Sequence, residues 1–281
     1  MKRLIADSGS TKTDWALTDD GRLLARVATQ GINPVHQDGN TIADVLRQEL
    51  LPQLDDQTAI DEVCFYGSGV RTDLETLMVQ LLERHFPGAR IEAHSDLLGA
   101  ALAVCGRREG VACILGTGAN SCLFDGRYIV SNTPPLGYVL GDEGSGAVLG
   151  RRFLNALLRG RLPETLRQAF AEETGMDYGD IIARVYRQPL ANRWLASLST
   201  FIHSHIDVEG VRELVTENFR DFLRLQVAPY GRRDLPVGAV GSIAWFYRDE
   251  LAQAAHTEGF VLGTVVRSPM DGLLKTLNET K

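Results

Sequence analysis

The sequence predicts an α/β fold assembled from two similar halves. A pattern of strand, small polar turn, strand, Asp-Gly turn and strand begins near residue 4, and it returns about 110 residues later. Apolar runs typical of strands alternate with segments of helical periodicity along the rest of the chain. The 281 residues, 44% of them hydrophobic, are enough for the cores of one large or two medium domains. A repeat on this scale indicates a duplicated domain core, because the periods of solenoids are shorter.

The first half is expected to open with three short strands joined by tight turns. Apolar runs predict these strands at 4–6, 15–18 and 23–29, and Asp19-Asp20-Gly21 is a hairpin turn signal. Helical spacing over 42–51 ends at Pro52. The remaining elements are predicted to be a buried strand at 62–66, an amphipathic helix at 74–86, a strand at 90–94 and a helix at 96–103. Ser95 is placed to cap the last of these helices.

The second half repeats the opening pattern and then becomes mostly helical. Its first three strands are predicted at 111–115, 122–124 and 128–130, joined by the polar turn Gly116–Ser121 and by Asp125-Gly126. Apolar periodicity predicts helices at 147–158, 162–173, 180–186, 191–205, 211–227, 243–254 and 272–277, with strands at 235–240 and 261–266. The alternation of strands and helices favours layered α/β architecture.

Charge and composition exclude several classes of partner. The net charge of −7 and the absence of a basic block argue against nucleic acid or an acidic membrane surface as a partner. No apolar run approaches the ~20 residues of a membrane span, and the N-terminus lacks the apolar region of a signal peptide. The four cysteines form no C-x-x-C pair and lie in or near apolar segments, which indicates buried thiols, with a metal or cluster site as the alternative. We therefore expect a cytoplasmic protein.

The turn after the first strand is predicted to bind phosphate. The segment Asp7–Thr13 combines one glycine, small hydroxyl residues and two aspartates between two apolar runs. Gly9 permits close backbone approach, and successive N–H groups and hydroxyls can face an anion. Asp7, at the strand end, is placed to hold a hydrated Mg²⁺ beside that anion. The alternative interpretation is an ordinary hairpin with a polar turn, because short Gly/Ser/Thr motifs are not specific.

Two further segments are candidates for the nucleotide. Gly116–Gly118 occupies in the second half the place that the polar hairpin turn occupies in the first, so it is predicted to be a second phosphate turn. If the two sheets face each other, both turns point into one cleft. Gly238–Ser242 connects a strand end to a helix start, and close approach at Gly241 suits an adenine and ribose; the alternative is a simple tight connection. The sequence contains neither a P-loop nor a Rossmann fingerprint.

Three carboxylates are candidates for the chemistry and for substrate recognition. Asp96 follows a strand and opens a helix, at the sheet edge where α/β proteins bind ligands. It can cap that helix, or it can accept a proton from an attacking hydroxyl, which is the task that phosphoryl transfer leaves to a side chain. Asp142 and Glu143 precede another helix, with four glycines within residues 137–146. Their role is either helix-dipole stabilisation or recognition of the hydroxyls of a polar ligand.

These motifs occur together in a known family. Asp7–Thr13, Gly116-Thr117-Gly118-Ala119-Asn120, Gly141-Asp142-Glu143-Gly144-Ser145 and Val240-Gly241-Ser242 follow one another in this order. The sequence resembles the actin-like sugar-kinase superfamily, and within it the N-acetylglucosamine kinase branch that is grouped with the BadF/BadG/BcrA/BcrD-type ATPases. The resemblance covers nearly the whole chain. It implies duplicated ribonuclease H-like domains around a central nucleotide cleft, with one lobe at 1–104 plus 267–281 and the other at 105–266, including a helical insertion at about 160–232.

The resemblance implies an ATP- and Mg²⁺-dependent kinase that phosphorylates the 6-hydroxyl of an amino sugar, foremost N-acetylglucosamine, and that forms a homodimer. Asp96 would be the catalytic base and would contact the sugar, and Asp7 would bind the metal. The expected ATP-binding residues are Gly9, Ser10, Thr11, Lys12, Thr117, Gly118, Gly241 and Ser242. The expected sugar-binding residues are Asn33, Asp96, Ala119, Asn120, Gly137, Tyr138, Val139 and Asp142. Pro134–Val139 and Ala119 depart from the family pattern, so glucosamine and N-acetylmuramate stay open as alternative substrates.

Two other functions are compatible with these motifs. ATPases that activate a radical dehydratase belong to the same superfamily and hold an iron–sulfur cluster between subunits through closely placed cysteines. Cys105 and Cys113 are eight residues apart, but Cys113 is expected in a buried strand. The other alternative is a non-catalytic sugar sensor. Because the phosphate hairpin begins at Asp7, we expect no room for the N-terminal DNA-binding domain of related repressors.

Overall fold

The structure is a computed structural model that describes residues 1–9, 11–54 and 59–278. It divides into two compact units: unit 1 comprises Met1–Arg107 and Pro269–Lys281, and unit 2 comprises Arg108–Ser268. Each unit contains a five-stranded sheet with its own buried apolar core. The predicted lobe limits fall close to these unit boundaries, and the action of the units as two lobes stays a prediction. Across the described residues, no helix has the length and apolarity to cross a membrane.

The sheet of unit 1 combines an antiparallel half with a parallel half. Its strands are β1 (Lys2–Ser8), β2 (Lys12–Asp19), β3 (Arg22–Gln30), β4 (Glu62–Gly67) and β5 (Arg90–Ser95). Their order is β3-β2-β1-β4-β5, and β1, β4 and β5 run parallel. The register pairs Ser8 with Gly67 and Gly67 with Ser95, so the carboxyl ends of the three parallel strands meet at one edge. Open α/β sheets bind ligands at this edge.

In the described part of unit 1, four helices accompany this sheet. They are α1 (Gly39–Val45), which continues into π-helical and 3₁₀ turns up to Gln53, α2 (Thr72–His85), α3 (Asp96–Cys105) and the C-terminal helix (Met270–Asn278). The predicted cap of α3 is confirmed, because Ser95 accepts a hydrogen bond from the Leu98 N–H at 3.3 Å. Trp15 and Phe65 pack in the core with ring centroids 5.9 Å apart.

Unit 2 repeats the topology of unit 1. Its strands are β6 (Gly110–Leu115), β7 (Ala119–Phe124), β8 (Ile129–Ser131), β9 (Pro236–Val240) and β10 (Val261–Val266). The order is β8-β7-β6-β9-β10, in which β6, β7 and β8 are antiparallel and β6, β9 and β10 are parallel. Each strand therefore has a counterpart in unit 1, and the predicted duplication is confirmed. Leu115, Val240 and Val266 end the three parallel strands.

The helices of unit 2 surround an aromatic core. They are α4 (Gly137–Leu140), α5 (Gly146–Leu158), α6 (Glu164–Thr174), α7 (Tyr178–Tyr186), α8 (Ala191–Ser197), α9 (Ser199–Ser204), α10 (Val211–Phe222), α11 (Ser242–Phe246) and α12 (Arg248–Thr257). After α10 the chain forms a π-helical turn, Leu223–Val227, and a 3₁₀ turn, Ala228–Tyr230. The rings of Phe153, Phe170 and Phe201 have centroids 5.2–5.8 Å apart.

Two predicted helices are each divided in two. The helix predicted at 191–205 is interrupted at Leu198, whose N–H donates to the Leu195 oxygen in a tighter turn. The helix predicted at 243–254 is interrupted at Tyr247, whose backbone leaves the helical region. The Tyr247 ring is buried and its hydroxyl donates to the Ser199 oxygen at 2.5 Å. A tertiary contact therefore overrides the local helical pattern, which extends without a break in the sequence.

Candidate active site

Asp7 and Asp96 lie at the carboxyl edge of the unit 1 sheet. Asp7 is the penultimate residue of β1, and Asp96 is the first residue of α3, directly after β5. The Asp96 carboxylate accepts hydrogen bonds from the Ser68 hydroxyl, from the Leu97 N–H and from its own N–H. Ser68 is held in turn, because its N–H donates to the Ser8 oxygen at 2.8 Å. The sequence prediction did not single out Ser68, although it follows a buried strand end in a Gly-Ser-Gly turn.

These two carboxylates have raised pKa values. Burial raises the pKa of Asp96 to about 6, against the effect of its hydrogen bonds. The pKa of Asp7 rises to about 7, chiefly by burial and then by the negative charges of Asp96 and Asp14, while Lys12 opposes the rise. Asp14 is the cross-strand neighbour of Asp7, and its carboxylate pairs with Lys12 Nζ at 2.5 Å. The edge is thus an acidic site with a carboxyl group that titrates near neutral pH.

The polar hairpin between β1 and β2 has a tight turn. The Gly9 N–H donates to the Lys12 oxygen at 3.0 Å, and Thr11 is exposed at the tip. Below the tip, the buried hydroxyls of Ser8 and Thr13 lie 2.6 Å apart and bond to the chain at 30–32. These buried hydroxyls hold the hairpin together, which leaves the exposed tip for a ligand. The predicted ATP-binding residue Ser10 lies outside the described residues.

Asn33 lies against the loop that contains Ser68, the residue whose hydroxyl bonds to Asp96. It is buried, its backbone N–H donates to Gln37, and its Oδ1 accepts a hydrogen bond from the Val35 N–H at 3.0 Å. A Cβ on Gly69 would lie 2.2 Å from Asn33 Oδ1, so Asn33 packs directly on the residue after Ser68. The structure therefore places two predicted sugar-binding residues, Asn33 and Asp96, around one loop of unit 1.

In unit 2 the turn Gly116–Gly118 packs on the start of α5. The Gly116 oxygen accepts a hydrogen bond from the Gly146 N–H at 2.8 Å, and the Thr117 oxygen accepts one from the Ala147 N–H at 3.2 Å. The Thr117 side chain is exposed. The polar turn is shorter than the predicted Gly116–Ser121, because β7 begins at Ala119 and pairs from there with β6. The Gly116 N–H is used within the turn, where it donates to the Gly118 oxygen at 3.0 Å. The turn therefore presents the exposed threonine hydroxyl to an anion.

Asp142 joins several of the predicted sugar-binding segments of unit 2. Its buried carboxylate accepts hydrogen bonds from the backbone N–H groups of Ala119 and Gly137. A Cβ on Gly118 would lie 3.0 Å from Asp142 Oδ2, so this glycine leaves room for the carboxylate. Burial raises the pKa of Asp142 to about 6, with a further contribution from the charge of Glu143. The predicted ATP-binding residue Gly118 therefore also borders the predicted sugar-binding carboxylate.

Asn120 and the segment before Asp142 complete this part of unit 2. Asn120 Oδ1 accepts hydrogen bonds from the Ser121 N–H and from Asn132 Nδ2, both at 2.9 Å, so Asn120 Nδ2 is the atom that can donate to a ligand. Gly137–Val139, expected to bind the sugar, lies in α4, a single helical turn that the Gly141 N–H closes on the Gly137 oxygen at 2.7 Å. Val139 is exposed and Tyr138 is partly exposed.

Gly241 has a structural requirement that the sequence did not disclose. Its φ is +125°, and a Cβ at this position would lie 2.2 Å from the Leu115 oxygen. The backbone of β6 therefore lies close to this glycine. Ser242 is exposed at the start of α11, followed on the same helix by the exposed rings of Trp245 and Phe246. The contact of Gly241 with a nucleoside stays a prediction.

The chain is similar in sequence and structure to a solved protein. No protein-family model matches the sequence, and no curated protein matches it either. A crystal structure of a putative N-acetylglucosamine kinase from Porphyromonas gingivalis is 50% identical, with a TM-score of 0.94 and coverage of 99% of this chain and 99% of that chain. The chain belongs to the N-acetylglucosamine kinase-like family.

More distant structures confirm the fold of this N-acetylglucosamine kinase-like chain. A putative N-acetylglucosamine kinase from Chromobacterium violaceum is 21% identical, with a TM-score of 0.76 and 98% coverage of both chains. A ROK hexokinase from Thermus thermophilus is 16% identical, with a TM-score of 0.55 and full coverage of both chains. At such low sequence identity, these two structures show only that the fold is the same. The shared fold confirms the predicted α/β architecture.

The residues present can be compared with the Mg²⁺ that the family resemblance implies. Asp7 lies near the charges of Asp14 and Asp96, and the mutual repulsion of these carboxylates is a reason for a cation to bind. In residues 1–9, 11–54 and 59–278 no group of three or more acidic, histidine or cysteine side chains could hold a metal ion. One carboxylate ligand, with waters and phosphate oxygens, is the usual arrangement for Mg²⁺. Asp7 therefore fits as the protein ligand.

The substitution Asp142→Asn is expected to raise the free energy of unfolding at pH 8. The pKa of Asp142 is raised from 3.8 to about 6 in the folded protein, so ionisation of this carboxylate destabilises the fold. The destabilisation is absent below pH 3.8, grows as the pH rises, and is complete above about pH 6. Asparagine removes that charge and tolerates the backbone φ of +56° at this position. We expect a gain of about 1–2 kcal/mol at pH 8, measured by denaturant unfolding, that vanishes towards pH 4.

Asp125→Asn is the matched control for this measurement. Asp125 is an exposed aspartate of unit 2 whose pKa is lowered by hydrogen bonds from the Tyr128 and Arg127 N–H groups, so its ionised form favours folding. We expect no gain in stability from this variant at pH 8. A gain of equal size in both variants would mean that net charge, and not the burial of Asp142, sets the effect.

Proposed function

We propose that the chain is an ATP-dependent kinase that phosphorylates the 6-hydroxyl of an amino sugar, with N-acetylglucosamine as its substrate. The observation that carries this proposal is the environment of Asp96. This carboxylate lies at the ligand-binding edge of the unit 1 sheet, is held by a hydroxyl and two N–H groups, and has its pKa raised to about 6. A base with such a pKa is ionised at neutral pH and accepts a proton readily. Membership of the N-acetylglucosamine kinase-like family supports the same reaction.

The reaction is a direct transfer of the γ-phosphoryl group. A lone pair of the sugar O6 forms the bond to the γ-phosphorus, and the bond from that phosphorus to the β,γ-bridging oxygen breaks, so that ADP leaves. The O6 proton passes to the Asp96 carboxylate. Because the transition state of phosphoryl transfer is loose, the protein contributes mostly position and charge, and Asp96 orients the acceptor hydroxyl.

Each unit offers an exposed polar turn as a proposed phosphate-binding segment. In unit 1 the hairpin tip would contact the phosphates through the Thr11 hydroxyl and the Lys12 ammonium group, and Gly9 would permit their close approach. In unit 2 the exposed Thr117 hydroxyl would contact the phosphates, next to Gly118. The nucleoside would lie against the Gly241-Ser242 connection, where the exposed rings of α11 offer flat apolar faces to a base.

The sugar is proposed to be bound by polar side chains that other hydrogen bonds hold in place. Asp142 would accept hydrogen bonds from sugar hydroxyls, while Asn120 Nδ2 and Asn33 would bond to other polar atoms of the ligand. Gly137–Val139 and Ala119 would border the ring and its substituent. The buried carboxylate of Asp142 makes sugar binding more favourable, because a charged acceptor forms stronger hydrogen bonds than a neutral one.

Metal, assembly and location complete the proposal. Mg²⁺ bound by Asp7 would neutralise the charge of the phosphates. A homodimer is proposed from the family resemblance, and a cytoplasmic location from the composition of the sequence. The burial of all four cysteines, Cys64, Cys105, Cys113 and Cys122, agrees with a compartment in which thiols stay reduced.

A coupled assay of ADP release over a panel of sugars tests the proposed function. With ATP and Mg²⁺, we expect N-acetylglucosamine to give the highest kcat/KM in a panel that includes glucosamine, N-acetylmuramate and glucose. A preference for glucosamine or N-acetylmuramate would retain the kinase and replace the substrate. An ADP-release rate that no sugar raises above the sugar-free rate would contradict the proposed function.

A further inference from the structure

Gln226 is a buried polar residue to which the proposed reaction gives no role. It lies in the π-helical turn that continues α10, and 3% of its surface is exposed. Its Oε1 is the single buried side-chain nitrogen or oxygen atom, among the residues that the structure describes, without a hydrogen-bond partner. Such an acceptor is unfavourable, because its contacts with water are lost on folding and are not replaced. π-Helical turns themselves are rare and are frequent at functional sites.

The other polar atoms of Gln226 bond to three separate segments. Its backbone oxygen accepts hydrogen bonds from Ser121 Oγ at 3.2 Å and from Thr133 Oγ1 at 2.9 Å. Its Nε2 donates a long hydrogen bond, 3.5 Å, to Glu143 Oε2. Ser121 and Glu143 are next in sequence to Asn120 and Asp142, which the proposed function assigns to the sugar. Thr133 lies four residues before Gly137, the start of the third sugar-assigned segment.

Tyr230 extends the same network in one direction. The Thr133 N–H donates to the Tyr230 hydroxyl oxygen at 2.9 Å, and this hydroxyl lies 2.8 Å from Ser121 Oγ. Because the Ser121 hydroxyl proton is used on the Gln226 oxygen, Tyr230 is the donor to Ser121. The order of donation is therefore Thr133 to Tyr230, Tyr230 to Ser121 and Ser121 to Gln226.

One face of α10 and its π-helical turn supports the segment after Asp142. The Gly144 N–H donates to Asn218 Oδ1 at 3.3 Å, and Asn218 Nδ2 donates to the Ser145 oxygen at 3.4 Å. A Cβ on Gly144 would lie 2.8 Å from Phe222 Cβ. With Glu143 bonded to Gln226, three successive residues of the segment rest on this one face.

We propose that Gln226 is a positioning residue of the sugar site, which acts through Glu143, Ser121 and Thr133 and is retained for sugar binding rather than for stability. This inference rests on the proposed function. Because Glu143 borders Asp142, its orientation sets the position and the electrostatic environment of the carboxylate that reads the sugar. The Oε1 atom without a partner lowers the stability of the fold. Functional sites commonly combine such a loss of stability with a gain in function.

The variant Gln226→Met tests this inference. Methionine has a similar volume and removes both the donor to Glu143 and the unpaired acceptor, while the backbone bonds to Ser121 and Thr133 stay possible. We expect the KM for N-acetylglucosamine to rise about tenfold, the KM for ATP to stay within about twofold, and the Tm to be equal to or above that of the unmodified chain. Leu225→Met, an exposed neighbour in the same turn, is the control and should change neither KM.

Three outcomes would overturn the inference: a lowered Tm with an unchanged sugar KM, equal rises in both KM values, or a tenfold rise in the Leu225→Met control. Calorimetric titration of N-acetylglucosamine into both proteins separates this inference from the proposed function. If the unmodified chain binds the sugar without turnover, the proposed function fails and the ratio of the two affinities still decides the role of Gln226. If the unmodified chain does not bind the sugar, both fail.

Discussion

Asp96→Asn is expected to lower the sugar-dependent rate of ADP release by about 10²–10⁴-fold, the range that general-base catalysis contributes. The substitution keeps the shape of the side chain and an oxygen that can accept from Ser68 and from the start of α3, but it removes the group that takes the O6 proton. ATP binding is expected to be unchanged, because the hairpin tip and Asp7 are untouched. Steady-state kinetics and calorimetric titration of ATP measure the two effects separately.

Glu92→Gln is the matched control for Asp96→Asn. Glu92 is a surface carboxylate of β5, the strand that precedes Asp96, and its pKa is lowered by His94 and Arg90. We expect this variant to retain the rate of the unmodified chain within about twofold, as surface substitutions usually do. If Asp96→Asn kept more than about a tenth of the rate, Asp96 would not be the base.

Gly241→Ala is expected to destabilise unit 2 severely. The added Cβ would lie 2.2 Å from the Leu115 oxygen, and both the contact and the φ of +125° are fixed by the backbone of paired strands. No side-chain rotation relieves such a contact, so β6 and β9 must separate. We expect a loss of about 3 kcal/mol or more in the free energy of unfolding and a fall in Tm of about 10 °C, measured by calorimetry.

Gly116→Ala separates this structural role of glycine from a role in ligand binding. Gly116 lies at the end of the neighbouring strand β6, and a Cβ there would have no atom within 4 Å. The Tm of Gly116→Ala is expected to stay within about 2 °C of the Tm of the unmodified chain. A change in its KM for ATP would therefore come from the phosphate turn. Equal Tm losses in the two variants would contradict the account of Gly241.

The repeated strand pattern could be predicted because its signals are local. The apolar runs around Leu4 and Val111, with Asp-Gly turns at matching places, specify three strands in each half without any knowledge of the partner sheet. Ser95 was recognised as a helix cap for the same reason, because its hydrogen bond spans three residues. Asp7, Asp96 and Asp142 were singled out by their positions at strand ends and beside glycines.

The features that were missed depend on contacts between distant segments. Gln226 lies about a hundred residues from Ser121 in sequence, and nothing near it distinguishes it from an exposed glutamine of an amphipathic helix. The break at Tyr247 accompanies a tertiary hydrogen bond to the Ser199 oxygen, and neither glycine nor proline lies within the two predicted helices that are divided. The close approach of the Leu115 oxygen to Gly241 was missed, because a sequence shows that a backbone can be approached closely but not by which partner. The contact of Gly241 with the nucleoside stays a prediction.

Transfer of phosphate to the sugar O6 is the central claim, and a comparison of N-acetylglucosamine with its 6-deoxy analogue tests it most directly. With ATP and Mg²⁺ present, the parent sugar is expected to raise ADP release well above the sugar-free rate, and its product to carry phosphate on O6 by ³¹P–¹H correlation NMR. The 6-deoxy analogue should bind and compete but give no added ADP. Phosphate on any other oxygen, or equal ADP release with both sugars, would contradict the account.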